Sequence, residues 1–118
     1  MPQITVDFSY NAEVISDTFV RELHETVVEI AAARPEACKT LFREGHTGYG
    51  YEGVADESHH VVHVTIGLLA GRSEETKAKL TEAVLDVLRK HVAPQDGVTL
   101  HASAEVRDLD ASYRKFER

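Results

Sequence analysis

Alternating apolar and polar residues at the start of the chain predict a β-strand. In residues 3–9, Ile4, Val6 and Phe8 are separated by polar positions, so one face of the strand is apolar. The same period of two recurs in residues 60–69 and, most clearly, in residues 98–107. Residues 40–43 predict a short additional strand. The pattern therefore predicts strands in both halves of the chain.

Apolar residues spaced by three and four positions predict two helices between these strands. The stripe of the first helix is Phe19, Leu23, Val27 and Ile30, and that of the second is Leu80, Val84, Val87 and Leu88. Ser16 or Asp17 is expected to cap the first helix, which we expect to end at Arg34-Pro35. Ser73 is expected to cap the second. The order is strand–helix–strand, twice.

This order defines the predicted architecture. The chain of 118 residues fits one domain, residues 1–118, with an architectural pseudo-repeat of residues 1–58 and 59–118. Each half forms a right-handed β-α-β unit in this prediction. The second faces of the strands are polar, so any packing of sheets between subunits would have to be partly hydrogen-bonded. A ferredoxin-like βαββαβ domain that serves as a non-catalytic binding or assembly module is the alternative.

Charge and cysteine content narrow the function classes. Thirteen basic residues face 20 acidic ones, a net charge of −7, which argues against nucleic acid or an anionic membrane as partner. An anionic substrate must therefore be attracted by local cations. Cys38 is the only cysteine, so no intrachain disulfide is expected. With neither a signal-peptide pattern nor an apolar run of about 20 residues, we expect a cytoplasmic protein.

Pro2 directly follows the initiator methionine. Within a chain a proline nitrogen is an amide without a hydrogen, but at a chain start it is a secondary amine. An ordinary α-amino group titrates at about 7.7–8.0, and apolar burial lowers that pKa because it disfavours the charged form. Removal of Met1 would therefore make Pro2 a base suited to neutral pH.

Three features together make the chain resemble the 5-carboxymethyl-2-hydroxymuconate isomerases, a branch of the tautomerase superfamily. The first is Met-Pro followed at once by the strand Gln3-Ile4-Thr5-Val6. The second is Val62-His63-Val64-Thr65 running on to Ala70-Gly71-Arg72-Ser73 and the second helix. The third is the doubled β-α-β order over the whole length. The resemblance implies an α+β (α/β) fold with a four-stranded sheet and two helices on one face.

The resemblance also implies a chemistry. The family uses its terminal proline, exposed by loss of methionine, to move a proton on a muconate-like enol from homoprotocatechuate breakdown. It needs no cofactor, and it forms homotrimers with sites where subunits meet. Pro2 would be the catalytic base and Arg72 a carboxylate-binding residue, with Arg43 a second. The substrate would be a small dicarboxylate or tricarboxylate enol, or another 2-oxo or enol acid.

Other residues have simpler interpretations. Arg72 could instead be a surface arginine paired with Glu74, Glu75 or another acidic residue. His59, His60 and His63 do not all lie on one side of a strand, and no carboxylate or cysteine spacing completes a tetrahedral set, so we expect no metal site.

Overall fold

The structure is a computed structural model that describes residues 2–118. Its elements are β1 (Gln3–Ser9), α1 (Asp17–Ala31), β2 (Lys39–Gly45), β3 (His59–Leu68), α2 (Glu74–His91) and β4 (Thr99–Asp108), with one turn of 3₁₀ helix at Pro35–Ala37. Each strand and helix predicted from the sequence is present. Neither helix combines the length and the apolar composition required to cross a membrane.

The four strands form one sheet in the order β2-β1-β3-β4. The outer pairs, β1 with β2 and β3 with β4, are parallel, and the central pair of β1 with β3 is antiparallel. The strands β1 and β2, which α1 connects, are thus neighbours in the sheet, and so are β3 and β4, which α2 connects. This confirms the doubled β-α-β prediction, because a ferredoxin-like domain is built from split units.

Both helices pack on the same face of the sheet, as predicted. The alternating apolar residues of β1 and β3 point into this layer and meet the helical stripes. Fully buried residues of this core include Val6, Phe19, Leu23, Val64, Ile66, Leu80 and Leu88. The core thereby holds both helices and the central strand pair together.

The helix ends confirm two predicted caps and correct one predicted end. Ser16 accepts a hydrogen bond from the Phe19 backbone N–H, and Ser73 accepts one from Thr76, both at 3.1 Å. The first helix ends at Ala31 rather than at Arg34, because Ala32 takes a left-handed conformation with φ of 56°. The chain after Ala32 is therefore free to turn towards the start of β2.

The C-terminal tail folds back along the end of the sheet. The Leu109 N–H donates to the Leu68 carbonyl at 2.7 Å, and the Gln3 side-chain amide donates to the Tyr113 hydroxyl at 2.9 Å. Tyr113 therefore anchors the tail to β1, whereas the side chain of Phe116 is 77% exposed.

The second face of the sheet is open in the single chain and carries a row of polar residues. In register across the four strands, Arg43 lies beside Asp7, Asp7 beside His63, and His63 beside Ser103. One ring nitrogen of His63 is 2.6 Å from the Ser103 hydroxyl, and the other is 3.1 Å from a Glu105 oxygen. The side chains on this face thus bind each other.

Replacing Leu23 tests the core directly. Leu23 of α1 is fully buried, so we expect Leu23→Ala to lower the free energy of unfolding by about 2–5 kcal/mol through lost contacts and a residual cavity. Ile15→Ala is the control: Ile15 is 61% exposed, and we expect its replacement to change stability by about 0.5 kcal/mol or less. Urea denaturation followed by circular dichroism measures both. Equal losses for the two variants would contradict the described core.

Candidate functional site

Five chain segments meet at one end of the sheet. Gln3 of β1 is paired with Gly67 of β3 and with Lys39 of β2, so the start of β1 lies beside the end of β3 and the start of β2. The C-terminus of α1 leads into β2, and the N-terminus of α2 follows β3. Residues that adjoin these ends of the five segments therefore lie close to one another, at one end of the sheet.

A cavity of about 460 Å³ opens at this end of the sheet. Apolar lining comes from Pro2, Ala32, Ala33, Ala37, Leu68 and Leu69. The charged lining consists of the cations Arg34, Arg72 and Lys115 and the carboxylates Glu36 and Glu117. The cavity therefore combines an apolar surface with an excess of positive charge, although the whole chain is acidic.

Pro2 contributes to the apolar surface of this cavity and is buried. The strand register, continued by one residue, places Pro2 between Leu68 and Cys38. Met1 lies outside the described residues, so the removal of Met1 stays a prediction. Pro2 is thus buried next to Leu68 and Cys38, and burial of this kind lowers the pKa of an amine because it disfavours the charged form.

Arg72 is held at the cavity by backbone carbonyl groups. Its Nε and Nη2 donate to the Ala31 carbonyl at 3.1 and 2.8 Å, and Nη1 donates to the Leu69 carbonyl at 3.2 Å. Ala31 is the last residue of α1, so Arg72 satisfies a carbonyl that the helix itself leaves without a partner. Gly71 precedes it with φ of 130°, a conformation that other residues rarely adopt.

The charge of Arg72 is available to a ligand. Among residues 2–118 its partners are carbonyl oxygens, not Glu74 or Glu75 as the simpler interpretation would have it. A guanidinium has five N–H donors, and these contacts leave one on each terminal nitrogen. Arg72 can therefore present two N–H groups and a positive charge to a carboxylate.

Arg43 lies away from this cavity in the single chain. It is opposite Asp7, five residues from Pro2, which corresponds to about 16 Å along a strand. Its Nε and Nη2 bind the two carboxylate oxygens of Asp7 at 2.7 and 3.1 Å. The hydrogen bond from Arg43 lowers the pKa of Asp7. Within one subunit, the structure brings Pro2 and Arg72 together but not Arg43.

Arg34 and Lys115 line the cavity and were not predicted from the sequence. Arg34 lies between the end of α1 and the 3₁₀ turn, so its proximity to Pro2 depends on β1 and β2 being parallel neighbours. The doubled β-α-β prediction implies that β1 and β2 are parallel neighbours, so the proximity of Arg34 to Pro2 could have been inferred from the sequence. Lys115 is brought in by the tail, for which the sequence pattern contains no comparable signal.

Within residues 2–118, the contacts of His59, His63 and Cys38 do not build a second site of this kind. His59 Nδ1 is 2.9 Å from His101 Nε2, and His63 belongs to the polar row on the open face. No group of three or more His, Cys, Asp or Glu side chains within residues 2–118 is arranged to hold a metal ion. Cys38 is buried, and burial raises the pKa of its thiol, so it is a poor nucleophile.

Comparisons with known proteins identify the fold. Neither a protein-family model nor a curated protein sequence matches the chain. A 5-carboxymethyl-2-hydroxymuconate isomerase from Deinococcus radiodurans R1 is similar in structure, with a TM-score of 0.69 and 21% identity, over 98% of this chain and 90% of that one. A fused 4-OT wild-type symmetric trimer matches with a TM-score of 0.70 and 20% identity, over 91% and 85% of the two chains.

A 5-carboxymethyl-2-hydroxymuconate delta-isomerase also matches, with a TM-score of 0.68 and 15% identity, over 99% of this chain and 89% of that one. At such identities the similarity establishes the fold alone. The chain has the tautomerase-like β-α-β fold.

The contacts of Arg72 predict a structural role that can be measured without a substrate. Arg72→Leu removes three hydrogen bonds to carbonyl groups, so we expect the free energy of unfolding to fall by about 1–3 kcal/mol. Arg34→Leu is the control, because the ion pair of that exposed side chain with Glu36 should contribute little. Urea denaturation of both variants is the measurement. A loss for Arg34→Leu as large as for Arg72→Leu would contradict the described role.

Proposed function

We propose that this chain is a cofactor-independent isomerase or tautomerase that moves a proton on a muconate-type enol. The observation that carries the proposal is that Pro2 and Arg72 line one cavity. The substrate proposed is 5-carboxymethyl-2-hydroxymuconate, converted to its oxo isomer in cytoplasmic homoprotocatechuate catabolism. Structural neighbours that are themselves described as 5-carboxymethyl-2-hydroxymuconate isomerases support this choice. Another 2-oxo or enol acid is the alternative substrate.

In the proposed mechanism, Pro2 is the base. After removal of Met1, its secondary amine accepts the enol hydroxyl proton, and the same proton is returned to a carbon of the diene. The electron pair of the broken O–H bond forms the new carbonyl, and the double bonds shift along the chain, so the product is a conjugated ketone. No cofactor is required, because an enol proton is already acidic and the oxo-acid system delocalises the negative charge.

Arg72 binds a substrate carboxylate in this mechanism. The two N–H groups not used by the carbonyls of Ala31 and Leu69 donate to the carboxylate, and the positive charge stabilises the dienolate next to it. Arg43 is proposed as a second carboxylate-binding residue only for a site shared between subunits, because in its own subunit it lies about 16 Å along the sheet from Pro2.

The non-catalytic alternative is less consistent with the site. An assembly module requires neither a cavity at Pro2 nor an arginine whose charge lacks a carboxylate partner. Both features are present here. They favour an enzyme.

We also propose that three copies assemble through the open face of the sheet. Its charges are already paired, as Arg43 with Asp7 and as Glu105 with His63 and Arg107, which reduces the cost of removing them from water. Leu41, 61% exposed, adds apolar surface to the same face. A structural neighbour described as a symmetric trimer supports this stoichiometry.

Blocking the terminal amine tests the catalytic proposal. Intact-mass measurement first identifies material that has lost Met1, and this material should ketonise 2-hydroxymuconate-type dienols, with or without EDTA. A Gly-Ser extension before Pro2 converts its nitrogen to an amide, so we expect kcat/KM to fall by about 10²–10⁴-fold. Circular dichroism should show an unchanged fold. Equal activity of the extended and processed proteins would rule out Pro2 as the base.

A charge placed on the open face tests the assembly. Light scattering coupled to gel filtration should give the processed protein a mass close to three times the 13.1 kDa subunit. Thr5→Arg, at the centre of the open face, should yield monomers, because it buries an unpaired charge in the interface. Thr81→Arg, on α2, is the control and should leave the trimer intact. A monomeric unmodified protein would refute the proposed trimer.

A further inference from the structure

We infer that Arg34 is the specificity-determining residue of the Pro2 cavity, where it forms a second carboxylate subsite that selects dicarboxylates over monocarboxylates. The inference rests on the proposed function, because it takes the Pro2 cavity to be the substrate site. Arg72 would bind one end of the ligand and Arg34 the other. Lys115 adds positive charge to the same cavity.

The first support is that Arg34 is held only weakly. Its Nε and Nη2 both contact a single oxygen of Glu36, at 2.8 and 2.7 Å, and its side chain is 79% exposed. Water screens an exposed pair of this kind, so it costs little to exchange one carboxylate for another. The guanidinium can therefore turn from Glu36 to a ligand carboxylate.

The second support is that Glu36 has another hydrogen-bond donor. Its own backbone N–H is the main cause that lowers the pKa of Glu36, and the Arg34 hydrogen bond comes second. The Glu36 carboxylate thus keeps a partner when Arg34 binds a ligand. The Glu36 carboxylate accepts from the same Arg34 nitrogens that would donate to a ligand carboxylate.

The third support is the distribution of cations around the cavity. Arg34 and Arg72 both line it, whereas Arg43 lies about 16 Å along the sheet from Pro2. Lys115 resembles Arg34, since it is paired with a glutamate two residues along, Glu117, at 3.5 Å. A ligand with two carboxylates would thus find two arginines and a lysine in the lining of one cavity of about 460 Å³.

Two six-carbon dienes that differ in the number of carboxylates form the test. cis,cis-Muconate has two carboxylates and sorbate has one, and binding of each to the processed protein is measured by calorimetric titration. We expect tighter binding of muconate. Arg34→Gln should weaken muconate binding roughly tenfold, through loss of one charged hydrogen-bonding group, and change sorbate binding less than about twofold.

Two further variants control for non-specific effects. Arg21→Gln removes another arginine that is 79% exposed and paired with a glutamate, but Arg21 lies outside the Pro2 cavity, so binding of both probes should stay unchanged. Glu36→Gln removes the competing carboxylate and should tighten muconate binding several-fold. Equal effects of Arg34→Gln on the two probes, no effect on muconate, or failure of both to bind the unmodified protein would each overturn the inference.

Kinetics separate this inference from the proposed function. If the processed protein ketonises a dicarboxylate dienol, Arg34→Gln should raise KM about tenfold and leave kcat nearly unchanged, as for a residue that binds ground state and transition state alike. An inactive protein that still shows the muconate preference, and loses it in Arg34→Gln, would refute the proposed function and leave the subsite standing. An active protein without the preference would refute the subsite alone.

Discussion

The antiparallel pairing of β1 with β3 determines which end of the sheet carries the cavity. Because Gln3 is opposite Gly67, the residue before β1 and the loop after β3 share one end of the sheet. The parallel partner β2 starts at the same end, so the C-terminus of α1 must arrive there before β2 can begin. The buried core of alternating residues makes this register costly to change, since a slip by one residue would turn the apolar face of β1 to solvent.

Arg72 connects this architecture to its chemistry. The helices α1 and α2 pack on each other, and the end of the first meets the start of the second. An unpaired helix carbonyl carries partial negative charge, so Ala31 attracts and orients the guanidinium without neutralising it as a carboxylate would. The same contacts therefore stabilise the junction between the helices and keep a cation in the cavity beside Pro2. An acidic chain thereby obtains a local positive site.

The charged side chains on the open face of the sheet and those around the cavity are arranged differently. On the open face, Arg43 and Asp7 satisfy each other with two hydrogen bonds, and His63 and Arg107 bind Glu105, which lowers the pKa of that carboxyl group. Around the cavity, the cations exceed the carboxylates. Paired charges suit a surface that packs on another copy of the chain. Arg72, whose partners among residues 2–118 are carbonyl oxygens and not carboxylates, suits a surface that receives an anion. Whether a charged side chain suits an interface or a ligand site thus follows from its hydrogen-bond partners and not from the amino-acid type.

The sequence by itself determined the strands, the helices, the Ser73 cap and the doubled β-α-β order, because apolar periodicity and capping depend on residues close together in the chain. It narrowed the first cap to Ser16 or Asp17, and the structure shows Ser16. It also indicated Pro2, through its place after the initiator methionine, and the resemblance to a known family implied Arg72. Only the tertiary structure showed that Arg43 lies with Asp7 on the open face, that Arg34 and Lys115 line the cavity, and that Phe116 is exposed. These positions depend on strand register, on the left-handed turn at Ala32 and on the path of the tail, which arise from contacts between residues far apart in the chain.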